Sequence, residues 1–281
     1  MHSLPEITSL QNPRIKAAVR LRSRHGREKA GLMLIDGARE LSRAIAGGVE
    51  LREVFLCPAL CTSSEARQVA NTLPDSAQVF QVSEAVFRKL AFGRRAEGIL
   101  GLAAIPQRTL DSLVLPQNPL VAILEAVEKP GNVGAVIRSA DAAGLAAVIL
   151  ADPATDLYNP NAIRASLGTI FTLPVCQAES AEIIAWLRRS GLKIVAARVD
   201  GEMTYDQVDY RAPTAILLGS EAAGLSSAWR ADDIHGVRLP MCGAADSLNV
   251  SVAAAVLFYE ALRQRRSSTG QTSNQAAGPN V

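Results

Sequence analysis

The sequence predicts an α/β protein of two domains. Short runs of Val, Ile, Leu and Ala alternate with helix-patterned segments along nearly the whole chain. The alternation is interrupted once, in PQRTLDSLVLPQNP (106–119), which holds three prolines and no clear period. The chain has 281 residues, 48% of them apolar, which is enough for two cores. These observations divide it into a domain over 1–105, a linker over 106–118, a second domain over 119–266 and a polar tail over 267–281 that reads as disordered.

In the first domain, Asn12-Pro13 before RIKAAVRLRSR reads as a helix start, with Ile15, Ala18, Val19 and the stem of Arg22 on one side. Strand-like LMLID (32–36) follows, then helical ARELSRAIAGG (38–48), LREVFLC (51–57), helical SSEARQVANTL (63–73), AQVFQV (77–82), helical SEAVFRKLA (83–91) and ILGLAAI (99–105). From Leu120 the strands become continuously apolar: LVAILEAV, AAVILAD, KIVAARV, TAILLGS and GVRLPM. Such strands belong to a mostly parallel sheet covered on both faces, whose ligand lies outside the strands' carboxyl ends. The covering helices are expected over 131–144, 180–191 and 247–266.

Composition excludes several classes. No apolar run is long enough to span a bilayer, and MHSLPEITSL lacks the basic-then-apolar pattern of a signal peptide, so a cytoplasmic protein is expected. Cys57, Cys61, Cys176 and Cys242 are scattered without nearby histidines and read as free thiols; no metal site is expected. Phosphate-loop, nucleophile-elbow, HExxH and GxGxxG patterns are missing. Charge is unevenly distributed, with a net +5 over 1–106 and −3 over 107–281. Arg14, Lys16, Arg20, Arg22, Arg24, Arg27 and Lys29 fall within sixteen residues, opposed only by Glu28. Such a run is either a solvated helix face or a nucleic-acid contact, and with 4% aromatics phosphate and shape contacts fit better than base stacking.

Three loop-to-helix segments could carry chemistry, each after an apolar strand. In EAVEKPGNVGAVIRSADAAG (125–144), Asn132 is a helix cap or a site residue. Arg138, six residues on, points about 240° round a helix from it, so the two share a site only if Asn132 lies in the loop. In LLGSEAAGLS (217–226), Gly219 and Gly224 bracket Glu221, a cap for the turn or a carboxylate at a ligand mouth. In LPMCGAADSLNVSVAAAVLFYEAL (239–262), Ser247 and Asn249 open onto an apolar helix, with Ser247 as the plain N-cap alternative.

In this order, PGNVGAVIRSADAAG, LLGSEAAGLS and LPMCGAADSLNVSVAAAVLFYEA resemble the three signature motifs of the SpoU/TrmH branch of the SPOUT RNA methyltransferases, over roughly residues 119–264. NPNAIRASLGTIFTLPV (159–175) resembles the family's middle segment, and 8–105 more loosely resembles its ribosomal-protein-like RNA-binding domain. The resemblance implies a homodimeric, S-adenosylmethionine-dependent 2′-O-ribose methyltransferase acting on structured RNA, its second domain a trefoil-knotted α/β fold. Ribosomal RNA, the large subunit's favoured, is the implied target because a separate basic domain precedes the catalytic one. A tRNA methyltransferase and a non-catalytic RNA-binding protein are the alternatives. By the same resemblance Leu218, Gly219, Leu239, Met241 and Leu248 hold the cofactor, and Asn132, Arg138, Glu221, Ser247 and Asn249 form the functional polar set. Arg138 grips a phosphate and stabilises the developing alkoxide, since a guanidinium is almost never neutral. The cluster from Arg14 to Lys29, with Arg94 and Arg95, is expected to contact RNA, and Arg164 either adds a phosphate contact or forms a structural ion pair.

Overall fold

The computed structural model describes residues 4–93 and 96–268. Arg94, Arg95 and the tail beyond 268 lie outside the described residues.

The chain opens with β1 (Glu6–Ile7), which the sequence reading missed, and α1 (Pro13–Arg20). Asn12 caps α1, its Oδ1 accepting from the Arg14 N–H at 2.9 Å, and Pro13 supplies the first helical position. The helix expected to run on through Arg24 stops, and a second one, α2 (Arg24–Ala30), begins after Ser23, whose Oγ accepts from the Gly26 N–H. Glycine is required there, since a Cβ on Gly26 would lie 2.0 Å from the Arg20 carbonyl oxygen. Next come β2 (Leu32–Asp36), α3 (Ala38–Ala46), β3 (Leu51–Leu56), α4 (Ser64–Asn71), β4 (Gln78–Val82), α5 (Glu84–Leu90) and β5 (Ile99–Ala104). These strands form a sheet of order β1-β4-β3-β5-β2, in which β5 runs antiparallel to both neighbours.

The segment after β5 is seated rather than loose. A 3₁₀ turn at Leu110–Ser112 places Leu110, Leu113 and Leu115 against an apolar cluster that includes Val121, Ile149 and Trp186, and Arg108 donates to the Leu173 carbonyl at 3.3 Å.

The second sheet is built from β6 (Leu120–Glu125), then α6 (Pro130–Ala142), β7 (Ala147–Ala151), α7 (Pro160–Ala165), α8 (Thr169–Thr172), β8 (Val175–Ala178), α9 (Ser180–Arg189), β9 (Lys193–Ala197), β10 (Met203–Thr204), β11 (Thr214–Leu218), β12 (Ile234–Arg238) and α10 (Val250–Ser268). Its order is β10-β12-β9-β11-β6-β7-β8 and every pairing is parallel. Every residue of β6, β7 and β11 is buried, as continuously apolar strands in a doubly covered sheet should be. Helix α10 starts three residues later than expected, so Ser247 is not its cap. Asn249 is, its Oδ1 accepting from the Ser251 N–H (3.0 Å) and Oγ–H (2.6 Å). The helix also continues to Ser268, past the expected end at 266. No helix among the described residues is long and apolar enough to cross a membrane.

The two sheets share one apolar cluster, in which Met33, Ile35 and Leu41 join Leu157, Tyr158 and Phe171. Polar contacts reinforce this junction, correct the RNA expectation for Arg27 and Arg22, and match the ion-pair alternative for Arg164. Arg27 is 1% exposed; its Nε donates to Asp156 at 2.6 Å and its Nη1 to the Leu21 carbonyl at 2.6 Å. Arg22 turns inward to the carbonyls of Lys89 (2.6 Å) and Ala91 (2.5 Å), where it closes α5. Arg164 pairs with Asp36 at 3.2 Å, across the junction. None of the three presents its guanidinium freely to a phosphate.

Asp156→Ala would leave Arg27 buried and charged without its carboxylate. The expected loss is about 3–5 kcal/mol, read from urea unfolding, and an Arg27→Met/Asp156→Leu pair should recover most of it.

Candidate active site

The site lies where the sheet physics places it, at the carboxyl ends of the adjacent strands β6 and β11. Glu125 ends β6 as a buried carboxylate and accepts from the Ser226 N–H (2.8 Å) and Oγ–H (2.6 Å), which fastens the far end of the loop after β11. That loop closes on itself: the Gly224 N–H donates to the Ser220 carbonyl at 3.0 Å, and a Cβ on Gly219 would sit 2.4 Å from the Gly224 backbone. Gly224 has φ +67°, a conformation that suits glycine.

The folded loop holds Glu221 where three segments meet. One carboxylate oxygen accepts from the Asn132 amide at 2.9 Å and from the Asn249 amide, and the other from Lys129 Nζ at 2.6 Å. Asn249 also approaches Asn132 Oδ1 at 3.4 Å. The Lys129 ammonium, bonded to Glu221, holds its carboxyl below the ordinary glutamate range, with help from the Val250 N–H and Asn132. Glu221 is thus an ionised acceptor surrounded by donors, a poor base and a good organiser.

A cavity of about 490 Å³ opens beside it, within the size range of small-molecule sites. Leu218, Gly219, Leu239, Met241 and Leu248, all expected to hold the cofactor, line it, together with Glu221 and Ser247. Met241 (36% exposed) and Leu248 (38%) present apolar surface to that space. A smaller cavity of about 270 Å³, lined by Val127, Glu128, Lys129 and Asn132, shares Glu221 and Ala222 with the first.

Arg138 is not brought to this cluster. Asn132 lies inside the first turn of α6, so the helix carries Arg138 to a different face, where it is exposed and makes no hydrogen bond or ion pair among the described residues. Lys129, Glu125 and Ser226 were not singled out from sequence; Lys129 stands only three residues before Asn132, but its contact with Glu221 spans 92 residues.

Of the basic cluster, Lys16, Arg20 and Lys29 are exposed without an ion pair among the described residues. Arg24 is exposed and pairs with Glu28, and Arg14 pairs with Glu53 while lying 4.6 Å over the Phe80 ring. Among the described residues no group of three His, Cys, Asp or Glu could hold a metal.

Comparison with known proteins bears on this arrangement. The SpoU rRNA Methylase family matches residues 119–259, and an MRM3-like substrate binding domain matches 12–101. A 23S rRNA (uridine(2479)-2′-O)-methyltransferase of Streptomyces viridochromogenes is 33% identical over 261 residues, covering 90% of each chain. The 23S rRNA (guanosine(2553)-2′-O)-methyltransferase RlmP of Bacillus subtilis is 27% identical, over 91% of this chain and 98% of its own. Among solved structures, an RNA 2′-O ribose methyltransferase is 43% identical with a TM-score of 0.82, covering 93% of this chain and 99% of that one. The SpoU methyltransferase AviRb from Streptomyces viridochromogenes, solved in complex with AdoMet, is 31% identical with a TM-score of 0.83, covering 92% and 99%. The expected fold class, a substrate-binding α/β domain before a knotted SPOUT domain, is the class of these structures.

Because Glu221 is held ionised, its carbon resonances should titrate below the usual glutamate range and move up towards it in Lys129→Met. A depressed carboxyl stabilises the fold above its unfolded pKa and loses that contribution as pH falls through the folded value. The stability gap between wild type and Glu221→Gln should therefore shrink on acidification from about pH 6 to about pH 3. A gap that widens would contradict the assignment.

Proposed function

The chain belongs to the SpoU rRNA methylase family, and we propose that it transfers a methyl group from S-adenosylmethionine to a ribose 2′-hydroxyl of structured RNA, in the large-subunit ribosomal RNA. The observation that carries this reading is the meeting of the three motif segments on Glu221, beside a cavity of about 490 Å³. The relatives named above act on 23S rRNA, and a cytoplasmic site of action follows from such a substrate. In this reading residues 1–105 bind the RNA and 119–266 carry the transfer, joined by 106–118.

The lining fits the cofactor. Met241 and Leu248 offer the apolar surface that an adenosine would cover, and Gly219 lets the loop beside them close on Gly224. When bound, the cofactor supplies a methyl group on a sulfonium. The chain's part is to align the hydroxyl and exclude water. Glu221 holds the loops in register, with Asn132 and Asn249 as its partners and Ser247 on the cavity wall.

Arg138 enters from a second copy. Within one copy it faces away from Glu221, and α10 leaves Val252 and Tyr259 about half exposed, seven residues apart and so on nearly one face. A two-fold dimer covers that face and gives each cavity its partner's Arg138. There the guanidinium grips the neighbouring phosphate and stabilises the developing alkoxide. Lys16, Arg20 and Lys29, with Arg14, Arg24, Arg94 and Arg95, supply phosphate contacts from the first domain.

Titration calorimetry in EDTA should show S-adenosylmethionine binding, and labelled methyl should pass to 23S rRNA; no heat at millimolar cofactor would sink the reading. For the dimer, Arg138→Ala and a cavity-blocking Leu248→Trp should each be inactive. Refolded together as an equal mixture, they should recover roughly a quarter of wild-type activity, since half the dimers are mixed and each has one complete site. A mixture as inactive as its parents, with mixed dimers seen by mass spectrometry, places Arg138 elsewhere.

A further inference from the structure

Lys129 holds a position that its contact with Glu221 does not explain. Its side chain is 69% exposed, whereas that of Glu221 is 29% exposed. Glu221 keeps other donors, because the amides of Asn132 and Asn249 and the Val250 N–H also reach the carboxylate and bind the three segments together. An ion pair this open to water is weak and exchanges readily for another anion. Among the described residues Lys129 is also the only cation lining the smaller cavity, whose remaining charged groups, Glu128 and Glu221, would repel RNA.

That cavity shares the Glu221–Ala222 wall with the larger one. A ribose presented to the larger cavity has a phosphodiester on either side, within one nucleotide of its 2′-hydroxyl. We propose that Lys129 leaves Glu221 when RNA binds and grips a backbone phosphate next to the target ribose, with the smaller cavity seating the adjoining nucleotide. This rests on the methyltransferase reading above. A lysine suits the task, being a compact charge on a flexible four-carbon stem that can swing between two anions. In the free protein the Glu221 pair shields the ammonium and orders the mouth of the cavity.

The test compares wild type, Lys129→Met and Lys129→Arg in binding a 23S rRNA fragment across a salt series, with cofactor affinity and Tm measured without RNA. Lys129→Met should weaken RNA binding on the order of tenfold near 0.1 M salt, and lower the slope of log K against log salt by about one. Lys129→Arg should restore the slope. Cofactor affinity should stay within about twofold and Tm should shift little, because Asn132 and Asn249 still hold Glu221 in the wall of the larger cavity. An unchanged slope and RNA affinity would overturn the proposal. So would a drop in cofactor affinity or Tm with the slope intact, which marks Lys129 as a strut for Glu221. If wild-type protein neither binds the fragment nor methylates it, the functional reading itself fails and this inference with it, an outcome distinct from a variant-specific loss.

Discussion

The carboxylate of Glu221 is the one acceptor on which three separately delivered segments converge: the start of α6 through Asn132 and Lys129, the loop after β11, and the entry to α10 through Asn249. The last of these carries little packing of its own, since the 239–249 stretch is exposed or half-buried throughout. A charge-assisted acceptor with amide donors is directional and stronger than neutral pairs, so it can hold loops that apolar contact cannot. Glu125 does comparable work from beneath, tying Ser226 to the end of β6.

A second constraint joins the domains. Arg27, Arg43 and Arg164 each cross from one sheet to the other or anchor the segment that does, meeting Asp156, the Leu167 carbonyl and Asp36. Leu167 takes a left-handed φ of 54°, uncommon for a side chain of its kind, and its carbonyl accepts from Arg43 at 2.7 Å. Asp36 also accepts the Phe92 N–H at 2.6 Å, and burial pushes its carboxyl up to about 6 despite that bond and Arg164. The stretch leading to Arg94 and Arg95 is therefore fastened to the same carboxylate that binds the second domain. The relative orientation of the two sheets is set by this one junction.

Helix geometry explains why the polar set divides. Asn132 sits inside α6, so six residues carry Arg138 most of the way round the helix. One copy can present Asn132 to Glu221 or Arg138 to the same place, but not both. The proposed shared site between copies would resolve that conflict without distorting the helix.

The sequence by itself determined the alternation of strands and helices, the Asn12 start of α1, the parallel, doubly covered second sheet, and the three segments that build the site. These are local or periodic properties, settled by neighbours within a helical turn or a strand. The residues expected around the larger cavity came from the resemblance of their segments to the family motifs, not from strand or helix period. Tertiary structure decided the break between α1 and α2, which needs Gly26 against the Arg20 carbonyl. It also decided which charges face outward. Arg27 reads from sequence like its exposed neighbours yet turns inward to Asp156, 129 residues away, and Arg22 and Arg164 meet partners 67 and 128 residues away. Lys129 and Glu221 are likewise 92 residues apart. Local pattern sets what a segment becomes, whereas the facing of a charge is set by whichever distant carboxylate or carbonyl chain closure brings within reach.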